Sequence, residues 1–320
     1  MMVNETLARY SDWTYGAAVV IYVFAMVFAL IEQAYTKPRR VRAEARQLAT
    51  VGGPAVVETP KVPVGRPERG RADRIGRMGA SLLILGVLLH FMSIVLRGVA
   101  TERPPWGNMY EYMTLVTFVA MATWVVLMRK FPVRRVSAFV LLPVVILMFL
   151  GGTVLYANAA PVVPALQSYW MVVHVTAAAS ASGLFLVPGV ASILYLVRTK
   201  YDKDDGKFTR IGPRLPEADV LDRLAYRTTI IAFPVFTFGV ICGAIWAESA
   251  WGRFWGWDPK ETVAFVAWVV YAAYLHSRAT AGWRGRRAAL INILGFAGTV
   301  FNLFFVNLVS TGLHSYAGVS

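Results

Sequence analysis

Cysteine is almost missing from this sequence. The 320 residues hold one, Cys242, so no disulfide within the chain and no paired-thiol redox centre can form. A lone cysteine inside an apolar run is ordinarily a small hydrophobe. Histidine is nearly as scarce, with His90, His174, His276 and His314 the whole set. Acidic residues are few, 18 against 32 Lys and Arg. No phosphate loop is present, which argues against an ATP-driven pump, and there is no internal repeat or low-complexity tract.

What is abundant is apolar. The chain is 57% hydrophobic with a mean hydropathy of +0.53, and its uncharged runs are longer than a soluble domain carries. A transmembrane helix needs about 20 mostly apolar residues. Eight runs qualify, near 13–34, 76–96, 112–128, 136–155, 169–197, 228–247, 262–277 and 288–309. The fold class expected is an all-α polytopic membrane protein of about eight transmembrane helices. The first run lacks a basic leader and a small-residue cleavage site, so it reads as a retained helix and not a signal peptide.

The net charge of +14 could suggest nucleic acid, but its distribution excludes that. Of the 32 basic residues, 27 fall in 37–77, 129–135, 198–227 and 278–287, every second loop. Basic residues gather in cytoplasmic loops, so the charge is a topology signal and membrane lipid is the partner it implies. Both termini and the loop 246–261 are then expected outside. The chain divides into a first helix over 1–36, a basic cytoplasmic loop over 37–77 rich in Pro and Gly and read as flexible, and a membrane domain over 78–320. Loop 156–168 has no charge at all, which suggests that it is tucked against the membrane or a partner.

Residues 246–261 hold four Trp, one Phe and five charged groups. Interfacial Trp belts are ordinary, and Trp106, Trp170, Trp246 and Trp283 fit one. Trp251, Trp255 and Trp257 differ, because Gly252 and Gly256 alternate with them and let backbone approach a flat ligand closely. Asp258, Pro259 and Glu261 suit the N-cap and first turn of a helix, so they also have a purely structural reading. His174 lies about five residues into its span and His314 about five beyond the last, on the same face as this loop. Neutral imidazole ligates haem iron, and ionisable groups at membrane depth are usually functional. The pair reads either as haem ligands or as interfacial histidines bonded to backbone. His276 sits roughly 21 Å and His90 roughly 10 Å below the outer surface at 1.5 Å per residue. A pair formed by those two is disfavoured, and His276 is the better functional candidate.

The string Trp251-Gly-Arg-Phe-Trp255-Gly-Trp257-Asp258-Pro-Lys-Glu261 resembles the tryptophan-rich WWD signature of haem-handling proteins of cytochrome c maturation. Leu221-Asp-Arg-Leu-Ala-Tyr226-Arg227, Gly107-Asn-Met-Tyr-Glu111, Leu275-His276-Ser-Arg278 and Gly312-Leu-His314-Ser-Tyr316 extend the likeness over most of 80–320. Eight spans with one signature are similar to the CcsA/ResC branch of System II, named CcsB in actinobacteria. The resemblance implies that His174 and His314 are axial ligands of an external haem b and that the Trp-rich loop, with Trp251, Trp255, Trp257 and Asp258, cradles it. It implies that His276 belongs to a second haem site whose other ligand comes from a ResB-type partner, and it leaves His90 without a counterpart. It further implies a multi-pass plasma (inner) membrane protein that moves haem outward and presents it to apocytochrome c carrying Cys-x-x-Cys-His, with a thioredoxin-like thiol reductant nearby, as part of a haem lyase. This chain has no Cys-x-x-Cys-His of its own, so it handles haem and is not itself a c-type cytochrome. The competing readings are a b-haem electron-transfer protein and a polytopic solute transporter.

Overall fold

The computed structural model describes residues 3–36, 70–162, 166–203, 207–280, 283–306, 309 and 312–313. The expected basic loop over 37–77 lies outside them except for its last residues, and His314 lies outside them altogether.

Eight α-helices and no strand are found among the described residues: α1 Glu5–Tyr35, α2 Arg71–Thr101, α3 Met109–Lys130, α4 Ser137–Thr153, α5 Tyr169–Asp202, α6 Ala218–Trp251, α7 Pro259–Ala279 and α8 Arg286–Phe301. A short 3-10 turn, Arg134–Val136, leads into α4, and α8 runs on into a π turn, Asn302–Val306. Seven of these, all but α7, are long and apolar enough to cross a membrane, α4 and α8 when taken with their adjoining turns as Arg134–Thr153 and Arg286–Val306. α7 falls short because Lys260, Glu261, Thr262, His276, Ser277 and Arg278 dilute its 21 residues. At 34 residues each, α5 and α6 are about 50 Å long at 1.5 Å per residue, well beyond a hydrocarbon core of about 30 Å. α6 begins ten residues ahead of the expected 228 and α5 runs on to Asp202, so the two ends of the segment read as a long polar loop are helix.

Neighbours in sequence pack as neighbours in space. α1 lies on α2 and α4, α5 on α3, α6 and α8, and α7 mainly on α8. Small residues set the close approaches, as they do where lipid gives no hydrophobic drive to helix association. A side chain at Gly183 would meet the Val116 carbonyl at 2.4 Å, and one at Gly239 would meet Ala178 N at 3.2 Å. One apolar cluster joins α1 to α5, with Tyr22, Met121, Trp124, Leu141 and Leu186 buried in it; a second joins α5, α6 and α7 around Phe185 and Tyr271. Those two rings stack at 3.7 Å. Pro143, Pro188 and Pro234 sit inside helices, where bundle neighbours can satisfy the backbone groups they free.

The alternation of helices brings the start of α1, the ends of α2, α4, α6 and α8, and the starts of α3, α5 and α7 to one end of the bundle. Cys242 is buried there in α6, 1% exposed, as expected of a small hydrophobe.

Candidate functional site

The site is built on a buried carboxylate at the start of α3. Asn108 caps that helix, accepting from Glu111 N at 2.9 Å. Glu111 is itself only 2% exposed. Its side chain accepts from Arg97 Nε at 3.0 Å, from Arg103 Nη1 at 2.8 Å and Nη2 at 3.2 Å, and from Gly107 N at 2.8 Å. An ion cluster withstands burial only when its hydrogen bonds are satisfied in this way. The remaining guanidinium capacity reaches loop 156–168: Arg97 Nη2 donates to Ala157 O at 2.5 Å and Arg103 Nη2 to Ala160 O at 2.7 Å. The uncharged loop, expected against membrane or a partner, is therefore pinned by its carbonyls to this chain's own arginines. The cluster also fixes the turn Trp106-Gly107-Asn108-Met109 as one wall of a recess.

The opposite wall comes from α5 and α6. His174 Nδ1 bonds Gly239 O at 2.7 Å, and its ring lies parallel to Trp246, with centroids 6.0 Å apart and planes 14° apart. Only glycine permits this. A Cβ on Gly243 would stand 2.6 Å from His174 Nδ1. Gly239 and Gly243 are one helical turn apart, so α6 presents a bare strip of backbone to the imidazole. With Nδ1–H donated to a carbonyl, the basic nitrogen of the ring is Nε2, the usual way a second-shell acceptor sets a ligand histidine's tautomer.

The Trp-rich segment closes the recess. Trp246 to Trp251 are still helical, and Trp251 meets Trp246 edge-on at 4.8 Å. Gly252 ends α6 at φ 70°, the left-handed cap that glycine favours. Gly252 to Trp257 make the loop, and Trp257 itself takes a left-handed φ of 58°. Glu261 ties the loop down: its carboxylate accepts from Gly256 N at 2.8 Å and Asp258 N at 3.1 Å and pairs with Arg253 at 3.6 Å. Asp258 is the N-cap and Glu261 lies in the first turn of α7, as expected, and the two form a capping box. Asp258 also accepts from Leu313 N at 2.8 Å. The π turn ending α8 joins the same corner through Asn302 Nδ2, which donates to Lys260 O at 3.2 Å.

Between these walls lies an open, mostly apolar recess lined by Trp106, His174, Trp246, Trp251, Phe254 and Trp255 among others. Of the residues singled out in the sequence, His174, Trp251 and Trp255 meet there. Trp257 does not: 66% exposed, it stands outside against Trp255 and Phe265. Asp258 is behind the loop. His276 is at the far end of α7 and exposed; beside it Arg278 grips Asp222 of α6 in two bonds of 2.7 and 2.8 Å and lies over Tyr226. His90 is fully buried among α1, α2 and α3, its Nδ1 3.4 Å from Tyr22 Oη and its ring edge-on to Tyr15, Tyr22 and Phe118. Trp246 and Trp106, read as interfacial belt, are instead recess walls. Among the described residues no group of three His, Cys, Asp or Glu could hold a bare metal ion.

Fold and site together define a multi-pass helical membrane protein with an aromatic-walled recess at one end of its bundle. A family described as cytochrome C assembly protein matches residues 106–314. The cytochrome c biogenesis protein CcsA of Parasynechococcus marenigrum (strain WH8102) is 33% identical over 264 residues, covering 73% of this chain and 85% of that protein. CcsA of Guillardia theta is 35% identical over 257 residues, covering 75% and 85%. A solved structure described as cytochrome c heme lyase CcmF superposes with a TM-score of 0.62 at 16% identity, covering 95% of this chain and 47% of that one. The chain thus spans about half the length of that structure, and the likeness is one of fold. The chain belongs to the cytochrome c assembly protein family.

Proposed function

We propose that this protein receives haem b as cargo in the recess and presents it for covalent attachment to apocytochrome c, as the CcsA-type component of a System II haem lyase. One observation carries the reading: a histidine with its tautomer set by a backbone carbonyl, stacked on one tryptophan, stands in the wall of an apolar recess closed by two more. The fit is supported by the lining, since haem is flat and mostly apolar and the recess is walled by Trp106, Trp246, Trp251 and Trp255. It is supported by chemistry too, since an imidazole suits iron carried in a porphyrin.

In this reading His174 supplies one axial nitrogen and His314 the other. Trp251 and Trp255 offer flat apolar faces, and Trp257 and Asp258 support the loop from behind. Bound haem supplies the iron and the vinyl groups that react. The chain's residues orient the cargo and keep water from one face, and the acceptor's own histidine displaces one axial ligand as the Cys-x-x-Cys-His segment arrives with its thiols reduced by a thioredoxin-like donor. His276, exposed at the far end of α7, serves a second haem site completed by a ResB-type partner, while His90 serves packing. The recess faces outside the plasma (inner) membrane, as do both termini.

The test is the absorption spectrum of the purified protein, wild type beside His174→Ala and His314→Ala. A reduced b-type spectrum that weakens or shifts in both variants, with c-type cytochrome yield falling and added imidazole restoring part of it, is the expected result. A spectrum indifferent to both changes moves the haem elsewhere. A stable haem with normal cytochrome maturation points to electron transfer, and no haem at all to solute transport.

A further inference from the structure

The recess is apolar, yet a cation stands in its wall. Among the described lining residues Lys260 is the one Lys or Arg and Glu261 the one acid. Glu261 is taken up by the loop, through Gly256 N, Asp258 N and Arg253. Asp258 accepts from Lys260 N at 3.3 Å and from Leu313 N at 2.8 Å. Backbone N–H groups thus stabilise both acids of this corner. Lys260 is fixed by its backbone, since its N–H serves the cap and its carbonyl accepts from Asn302 Nδ2 at 3.2 Å. Neither bond asks anything of the side chain. The charge does not help the helix either. Lys260 is in the first turn of α7, where the macrodipole favours anions and opposes cations. Nor does an aromatic wall favour an ammonium, which loses hydration there. An anionic group on the recess ligand supplies what the fold does not.

We propose that Lys260 is a positioning residue that binds a propionate carboxylate of haem and so fixes which edge of the porphyrin faces α7. This rests on the reading of the recess as a haem site with His174 as a ligand. Haem b carries its two propionates along one edge and its two vinyl groups away from that edge. An imidazole fixes the iron but leaves the ring free to turn about the iron–nitrogen bond. A second point of attachment stops that turn. With the propionate edge held at the start of α7, the vinyl edge is turned away from it. Two thiols of one acceptor segment must each meet a particular vinyl, which requires the edge to be held in one orientation. A lysine suits a cargo that must leave, because its ammonium is a compact point charge on a flexible stem and makes no bidentate clamp.

Lys260→Met keeps the stem and removes the charge, and Lys260→Arg keeps the charge. Both are made in the full-length chain and purified in detergent as apoprotein, beside wild type and His174→Ala. Each is titrated with haemin and with haemin dimethyl ester, whose two propionates are uncharged. Wild type is expected to bind haemin about tenfold more tightly than the ester. Lys260→Met is expected to bind the two alike, at the wild-type level for the ester, and Lys260→Arg to keep most of the preference. A merely structural lysine would instead move both affinities together and lower the unfolding temperature. No such drop is expected, because the charge opposes the dipole of α7. A preference for haemin that survives in Lys260→Met overturns the assignment. Equal binding of the two porphyrins by wild type also overturns it and returns Lys260 to the lipid headgroups. Haemin binding left unchanged in His174→Ala puts haem outside the recess; the reading of the recess then fails, and the role of Lys260 with it.

Discussion

Gly243 is where a single atom decides the site. An added Cβ would sit 2.6 Å from His174 Nδ1, a distance that forces the imidazole off the Gly239 carbonyl and out of its stack with Trp246. Loss of the acceptor that orients a ligand histidine typically costs about 10–100-fold in affinity for what it ligates. Gly243→Ala is therefore expected to weaken haemin binding by about that factor, measured by titration of the apoprotein. Gly298→Ala is the matched control, since its Cβ would meet only Ala267 Cβ at an ordinary 3.7 Å; it is expected to bind as wild type. His174 was legible in the sequence because histidines are so few and this one stands near a span end. Trp246 was not, because tryptophans at span ends are ordinary interfacial residues and only the register of α5 against α6 turns this one toward the imidazole. The pair Gly239 and Gly243 was a readable signal of close approach, at the four-residue spacing that brings helices together, although the spacing alone does not say that an imidazole fills the gap.

Among the elements, α3 and its preceding turn depend on Glu111. Removing its side chain leaves Arg97, 3% exposed at the side chain, with Asp12 at 3.5 Å as its one carboxylate partner among the described residues, and frees Gly107 and Arg103 together. Breaking one partner of a buried ion cluster costs about 3–5 kcal/mol. Glu111→Ala is expected to lower the thermal unfolding midpoint in detergent by the equivalent of that loss and to reduce haem retention, because Trp106 and Met109 lose their wall. Glu111→Gln keeps the shape and part of the hydrogen bonding, so an intermediate midpoint is expected; a midpoint equal to wild type in Glu111→Ala would refute the role. The helices themselves were legible from apolar runs, and the start of α7 from Asp258, Pro259 and Glu261. Their ends were less so. α6 extends back to Ala218 because Leu221, Leu224 and Ala225 are buried at helical spacing, a pattern masked by the charges between them. The missing charge of loop 156–168 was legible, but composition could not show that Arg97 and Arg103 donate to the carbonyls of Ala157 and Ala160. The motif around Asp222 and the motif around Arg278 read as separate likenesses; the two-bond pair between them joins α6 to α7 beside His276.

For the whole molecule, charge and the single cysteine together make the membrane orientation directly testable. Four of the basic residues near the recess are of little weight as an outward positive signal: Arg97 and Arg103 pair with Glu111, Arg253 pairs with Glu261, and Lys260 lies in the recess wall. The basic residues of the other end keep the bias. Arg134 meets Glu32 and Asp73 there and Arg278 meets Asp222, yet most of the 27 remain in excess over acids. The recess end should therefore face outward. Cys242 is 1% exposed, so the native chain should be silent to a thiol reagent that cannot cross the membrane, and no background cysteine has to be removed. A cysteine at Trp257, 66% exposed on the recess end, is expected to label in intact cells or spheroplasts. One at Arg210, exposed in the segment between α5 and α6, is expected to label only after the membrane is opened. The reverse pattern would place the recess inside and leave haem to be collected on the wrong side for an exported acceptor. Labelling of both in intact cells would mean that the segment between α5 and α6 also reaches the outer surface, which the single crossing by α6 between Arg210 and Trp257 does not allow.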